Sequence, residues 1–459
     1  MSGDRGSCQN RRVNVRRRVR LARRGPPRPQ APRASWLALL LALSVAVVAS
    51  ACGSPAPSPS AADGSASTPA QTATPAGSAT SAGSPNPSDA AIYVQIEKQV
   101  EQLRGLSATR TVTPTLLDEQ GVRDWLTKAN QQQTDHVATA KEGRLLIHLG
   151  LLPQGSSLEQ LQLDLEAGQV VGFYDPVSKQ LYVLSQSGGV GPLQKFTFSH
   201  EYTHALQDQN FGLDKLATDA PDQSDRDLAH LSIAEGDATV LMTQWGAQNL
   251  SIIDMLSLAG SAGAGSDQLV AAPAILRETL LFPYQQGLAF VQGIYDSGGW
   301  AAVNALYTKP PNSTSQILHP ELYEAGVEPV TVSLPKVPVS LAAGWQLVTQ
   351  DTLGELDLVV WLEGEHPTSA QTDAATNATS QWGGDRVGLY EGPNSAWAVV
   401  LRTNLRNEAG RQAFRDAAAL AAGRLAGPIA VCLGASTVDV YVASDQATLD
   451  AFSTCNPIG

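Results

Sequence analysis

Beyond its first 51 residues the chain has little positive charge. Eleven of its 31 basic residues are arginines in that opening stretch, set against a single acid, Asp4. The net charge of −12 over 459 residues therefore understates the acidity of the remainder. An acidic body excludes nucleic-acid binding through phosphate contacts. The opening arginines are not a nucleic-acid tail either, because an apolar run follows them at once. That run, Trp36–Ala49, falls short of the ~20 residues a membrane span requires. Residues 53–88 carry one charge, Asp63, in a mixture of Ser, Pro, Ala, Thr and Gly, and cannot form a core. Aromatics are only 6% of the chain, with no stripe of them to bind sugars, and no internal repeat is visible. What remains is long enough for two or three domains, with 43% hydrophobic residues to fill them.

The N-terminus has the layout of an export signal: a positive segment over residues 5–33, then the apolar run. Ala49-Ser50-Ala51-Cys52 resembles a bacterial lipobox. The resemblance implies cleavage before Cys52, lipidation of that cysteine, and an extracytoplasmic protein anchored to the membrane. An ordinary secretory signal cut near the same place is the plainer reading. Residues 53–89 then serve as a tether, spanning roughly 35 Å as a flexible coil. Of the four cysteines, Cys8 leaves with the signal and Cys52 takes the lipid. Cys432 and Cys455 remain, and an even pair in an oxidising compartment is expected to form a disulfide.

Globular patterning starts at residue 90. Helical spacing predicts helices over 90–103, 116–129 and 158–165, then a strand over 170–175, a turn at 176–179 and a return strand over 180–184. Helices are expected over 193–209, 226–249, 276–296 and 299–307, with a small-residue loop at 257–265. Pro335 and Pro338 mark a boundary. Beyond it, strands at 345–350, 386–390, 396–401 and 438–443 alternate with helices at 353–362, 411–422 and 446–452. The expected organisation is a signal segment 1–52, the tether 53–89, an α+β domain 90–335 and a smaller α+β domain 336–459.

The stretch FSHEYTHALQDQ, 198–209, places His200 and His204 four positions apart. On a helix such residues share a face about 6 Å apart, so both can hold one ion. Glu201 stands about 100° around from His200. From there it can take a proton from metal-bound water, whose pKa zinc lowers to about 7. A catalytic zinc site needs a third protein ligand and an open fourth position. Glu235, in AHLSIAEGDATVLM on the next long helix, is the preferred candidate, with Gly236 beside it permitting close approach of two helices. His230 competes for the role, and Asp237 is a third option or a bracing partner.

HEYTH with a downstream helical Glu resembles the gluzincin, thermolysin-like clan of zinc metallopeptidases. Gly172–Asp175 (GFYD), His200–Gln209 and Glu235–Ala238 (EGDA) also resemble a series in bacterial exported proteins. The resemblance covers most of 90–392 and implies a zincin-like α+β domain. It implies zinc held by His200, His204 and Glu235, with Glu201 as general base for peptide hydrolysis. It also implies an edge strand, 170–174, that receives a peptide or protein substrate as an added strand. One departure stands out: where the clan often has an Asp four residues after the ligand Glu, this chain has Thr239, so Asp208 or Asp237 is expected to brace a histidine instead.

An oxyanion needs a further donor, for which His319 is the candidate, with Tyr284 or Tyr323 behind it. A turn histidine before Pro320 is the blander reading of His319. Two other functions stand beside peptide hydrolysis. One is a non-catalytic surface lipoprotein that binds a wall component or a protein on a peptidase-like fold. The other is a zinc amidase acting on wall peptides, which the missing aromatic stripe disfavours.

Overall fold

The computed structural model describes residues 83–455, apart from 168–169, 186–188, 217–221, 262–265, 342 and 454. The signal segment, Cys8, Cys52 and most of the tether lie outside the described residues. The tether ends earlier than its composition suggests. Asn86 caps a helix, α1 (Pro87–Arg104), by accepting from Ser88 and Asp89 backbone amides. Gly83 exchanges backbone hydrogen bonds with Leu116. That contact extends β1 (Thr115–Leu117), which occupies the start of the helix expected at 116–129. Asp118 then caps α2 (Glu119–Gln133). Two helices follow, α3 (His136–His148), which the spacing did not reveal, and α4 (Leu158–Ala167).

Strands β2 (Gly172–Asp175) and β3 (Gln180–Leu184) form a hairpin, with Phe173 opposite Tyr182. Asp175 closes its turn by accepting from the Val177 and Ser178 amides. The three strands run β1-β3-β2, with β1 parallel to β3, so β2 is the edge. Beneath the sheet lies α5 (Pro192–Phe211), and against it α6 (Ser224–Asn249). Tyr93, Val100, Tyr174, Leu181, Phe198, Leu206, Leu241 and Trp245 pack as one core between α1, the sheet, α5 and α6. Both long helices are buried nearly all round over their middle turns. A helix in that setting reads as apolar on every face and carries its few polar groups for a purpose.

Helices α7 (Ile252–Ser261), α8 (Ser266–Ala271) and α9 (Ala274–Phe282) come next, so a helix occupies part of the expected 257–265 loop. The chain then takes one π-helical turn, Pro283–Gly287, before α10 (Leu288–Leu306), which kinks at Gly298–Gly299. Short helices α11 (Thr314–Leu318) and α12 (Pro320–Glu324) follow.

The second sheet is antiparallel throughout, in the order β4-β5-β6-β8-β7. Its strands are β4 (Gln346–Asp351), β5 (Trp382–Glu391), β6 (Trp397–Leu405), β7 (Ile429–Leu433) and β8 (Thr437–Ala443). Helices α13 (Gly354–Glu363), α14 (Ser369–Thr379), α15 (Glu408–Ala422) and α16 (Gln446–Phe452) accompany it. A disulfide joins Cys432 at the end of β7 to Cys455 beyond α16.

The boundary near 335 separates two sheets but not two cores. Leu145, Leu149 and Leu152 around α3, and Ala274 and Ile275 of α9, pack with Trp361, Val387, Leu401 and Val440 of the second sheet and its helices. The fold is α+β, as its patterning suggests, and the described residues belong to one compact unit. No helix among the described residues is long and apolar enough to cross a membrane.

Candidate metal centre

Pro192 and the Gly191 N-cap start α5, and the Gln194 side chain accepts from the Gly191 amide. Two turns later, His200 and His204 project from one face toward α6, where Glu235 meets them. The His204 Nε2 lies 2.9 Å from His200 Nε2. Glu235 Oε2 lies 3.1 Å from His200 Nε2 and 3.4 Å from His204 Nε2. Three ligand atoms around a tetrahedral zinc with bonds of about 2.1 Å would stand ~3.4 Å apart. The cluster is therefore slightly tighter than, and close to, the face of such a tetrahedron. Two ring nitrogens and a carboxylate oxygen aimed at one point need a cation or a proton between them, because each presents electron density. All three residues are 0–1% exposed, and among the described residues Glu235 Oε1 has no hydrogen-bond partner. The donor set is the only group of three such side chains gathered tightly enough for a metal among the described residues. It fits zinc by ligand type and spacing.

The electrostatics agree. Burial alone would push the Glu235 carboxyl up, yet the His204 and His200 imidazoles override it and hold it below the usual range. Burial likewise lowers the His204 imidazole, and the Glu235 carboxylate more than reverses that, with Glu201 adding to the pull. Glu201 is fully buried, and a Cβ on Gly172 would lie 3.6 Å from its Cγ. The first residue of the edge strand β2 thus sits against the proposed base.

Glu235 owes its position to backbone contact. A Cβ on Gly236 would stand 2.4 Å from the Gly287 carbonyl oxygen, and one on Gly287 would stand 2.5 Å from Ser232 O. Helix α6 therefore crosses the π-helical turn at bare backbone. The close approach expected of Gly236 is made with this turn and not with α5. A π-turn widens a helix by one residue, and here it carries Tyr284, whose ring stacks beside His200 at 6.3 Å between centroids.

Other candidates find different partners. His230 Nδ1 lies 2.5 Å from Leu216 O, so it is a local tie, and burial pushes its imidazole down. Asp237 forms a fork with buried Arg104, at 2.8 and 2.9 Å, and accepts from Tyr307 at 2.7 Å. It neither ligates nor braces. Asp208 accepts from Tyr174 and from Lys179, each at 2.8 Å, and likewise braces no histidine. The brace on His204 is Gln207, whose Oε1 lies 2.9 Å from His204 Nδ1. Its only signal in the sequence is an amide three residues after a candidate ligand, on the same helical face. Thr239 is buried, and its hydroxyl has no partner among the described residues.

His319 Nε2 lies 2.9 Å from the buried Glu355, and that carboxylate raises its imidazole. The contact binds the α11–α12 corner to α13, and His319 is a structural tie and not part of the cluster. Tyr323 donates to Lys309 O and packs on Phe290. Of the proposed oxyanion group, Tyr284 is the member whose ring meets a cluster residue.

Residues 342–454, which span the second sheet and its helices, match a family described as a domain of unknown function, DUF8575. The metal cluster lies N-terminal to that match. No curated protein and no solved structure matches the chain.

Proposed function

We propose that the chain is a zinc-dependent metallopeptidase, exported and anchored to the bacterial membrane through a lipid on Cys52, acting on a peptide or protein substrate. The observation that carries this reading is the convergence of His200, His204 and Glu235 within 4.8 Å, with Glu201 on the same helix and outside the ligand set. A purely structural zinc site has no use for that carboxylate and closes its fourth position with protein.

When bound, zinc supplies Lewis acidity, lowering the pKa of a bound water to about 7 and polarising a carbonyl. His200 and His204 offer their Nε2 atoms and Glu235 its Oε2. Glu201 takes the proton of the attacking water and returns it to the leaving amine. The edge strand β2, beside Glu201, orients the substrate backbone as an added strand. The Tyr284 hydroxyl is the donor nearest in kind to what the developing oxyanion needs.

A second reading is favoured by one fact: all four residues of the motif and its third ligand are at most 1% exposed. That burial suits a non-catalytic surface lipoprotein in which the metal only fixes the fold. Cleavage of a peptide library by the zinc-loaded chain separates the two. Peptidase chemistry predicts cleavage by the native chain and a loss of at least ~10³-fold in Glu201→Gln with zinc retained. Equal, background-level signals from both proteins would leave the binding-protein reading standing.

A further inference from the structure

We infer that Gln207 is the positioning residue of the centre, fixing His204 as an Nε2 ligand and tying it to the helix that carries Glu235. This rests on the zinc reading above. The logic is one of donors and acceptors. The Ala234 carbonyl can only accept, so the Gln207 group 2.9 Å away from it must be the NH2. The other end of the amide, Oε1, therefore faces His204 Nδ1 at 2.9 Å. An amide oxygen can only accept, so Nδ1 carries the hydrogen. In the neutral imidazole the lone pair is then on Nε2, the atom that points at His200 and Glu235. A tautomer that is normally a matter of assignment is thereby set by a backbone carbonyl two steps away.

Every group in this relay is 0% exposed: His204, Gln207 and Ala234. Water therefore does not compete for the bonds. Ala234 directly precedes Glu235, so one side chain locks a ligand on α5 and the neighbour of a ligand on α6. The carboxylates that spacing suggested for this duty are engaged elsewhere, Asp208 with Tyr174 and Lys179, Asp237 with Arg104 and Tyr307. His200 has no counterpart, since its Nδ1 lacks a hydrogen-bond partner among the described residues. The two histidines are thus unequal: His204 is preset, and His200 is held by packing and by its approach to Glu235.

The test uses the full chain with 15N-labelled histidine, as wild type, Gln207→Met and Gln207→Glu. Two readouts are taken: zinc affinity by chelator competition, and the His204 tautomer from long-range proton–nitrogen spectra of the metal-free protein, recorded at a pH high enough to keep the imidazole neutral. Gln207→Met keeps the shape and removes both bonds. It is expected to bind zinc about 10–100-fold more weakly and to lose the single Nδ1–H tautomer. Gln207→Glu keeps an acceptor for Nδ1–H, so it retains the tautomer that Gln207→Met loses. Thermal melts of the metal-free proteins identify any variant that fails to fold, and either variant alone then decides. Wild-type affinity or an unchanged tautomer in a folded Gln207→Met overturns the inference, and so does loss of the single tautomer in a folded Gln207→Glu. If the native chain binds no zinc, the zinc reading fails, and the tautomer comparison judges Gln207 by itself.

Discussion

Gly236→Ala is the smallest change that reaches the candidate centre without touching a ligand. Its added Cβ would stand 2.4 Å from the Gly287 carbonyl oxygen, 2.6 Å from its carbon and 2.8 Å from Val291 Cγ2. Comfortable contact between such atoms begins near ~3.5 Å, so the crossing must open by about 1 Å. The obstacle is backbone on both sides, which cannot rotate away as a side chain would. Overpacking costs about 1–3 kcal/mol in ordinary cores, and this contact belongs at the upper end. Alanine returns about 1 kcal/mol through its better helix propensity. A net loss of ~2 kcal/mol follows, with Glu235 displaced because it precedes the altered residue. The assay pairs thermal or denaturant unfolding of the metal-free chain with zinc affinity. Gly293→Ala on α10 is the control, since nothing lies within 4 Å of its added methyl. The control is expected to match or slightly exceed wild-type stability. If Gly236→Ala behaves like that control in both assays, the bare-backbone crossing does not position the ligand.

Three further outcomes are expected. Arg104→Ala leaves Asp237 charged and buried without its fork, and should cost about 3–5 kcal/mol in denaturant unfolding; a loss below ~1 kcal/mol would contradict this. Glu166 is 8% exposed, and burial pushes its carboxyl up to about 8. The unfolded chain ionises this group near pH ~4.3, so native stability falls as pH rises from there to the folded value, and no further above it. Glu166→Gln should therefore stabilise the protein at pH 9, by at most ~5 kcal/mol, and be neutral at pH 4; melts at both pH values check it. Reduction of Cys432–Cys455, which are 23 residues apart, should cost ~3 kcal/mol and lower the melting temperature without altering zinc affinity.

Much of the centre was legible because its spacing is local. His200 and His204 follow from helical geometry, and Glu235 stands out between the uncharged Ala234 and Gly236, with His230 and Asp237 as its rivals on the same helix. The hairpin of β2 and β3 was legible for the same reason, with a turn between two apolar runs. What was not legible depends on distant pairing. Thr115–Leu117 becomes a strand only by lying parallel to β3, more than 60 residues on, which overrides a helical pattern. Asp237 looked available for the centre because its partner, Arg104, is 133 residues away. His319 looked catalytic for want of Glu355, 36 residues away. The prolines near 335 announce a change of sheet, but no local signal says that α3 and α9 bury their leucines and isoleucine in the second sheet's core. The π-turn was invisible because its pattern is helical and its cause is the crossing at Gly236.

The central claim is a zinc ion held by two imidazoles and one carboxylate with an open position. Zinc stoichiometry and zinc-edge X-ray absorption of the purified chain, beside Glu235→Ala and Glu201→Gln, test it most directly. The account predicts one zinc per chain with a nitrogen and oxygen shell at about 2.0–2.2 Å. That zinc should be lost in Glu235→Ala and kept in Glu201→Gln. Absence of zinc from the native chain, or retention with an unchanged shell in Glu235→Ala, would contradict it.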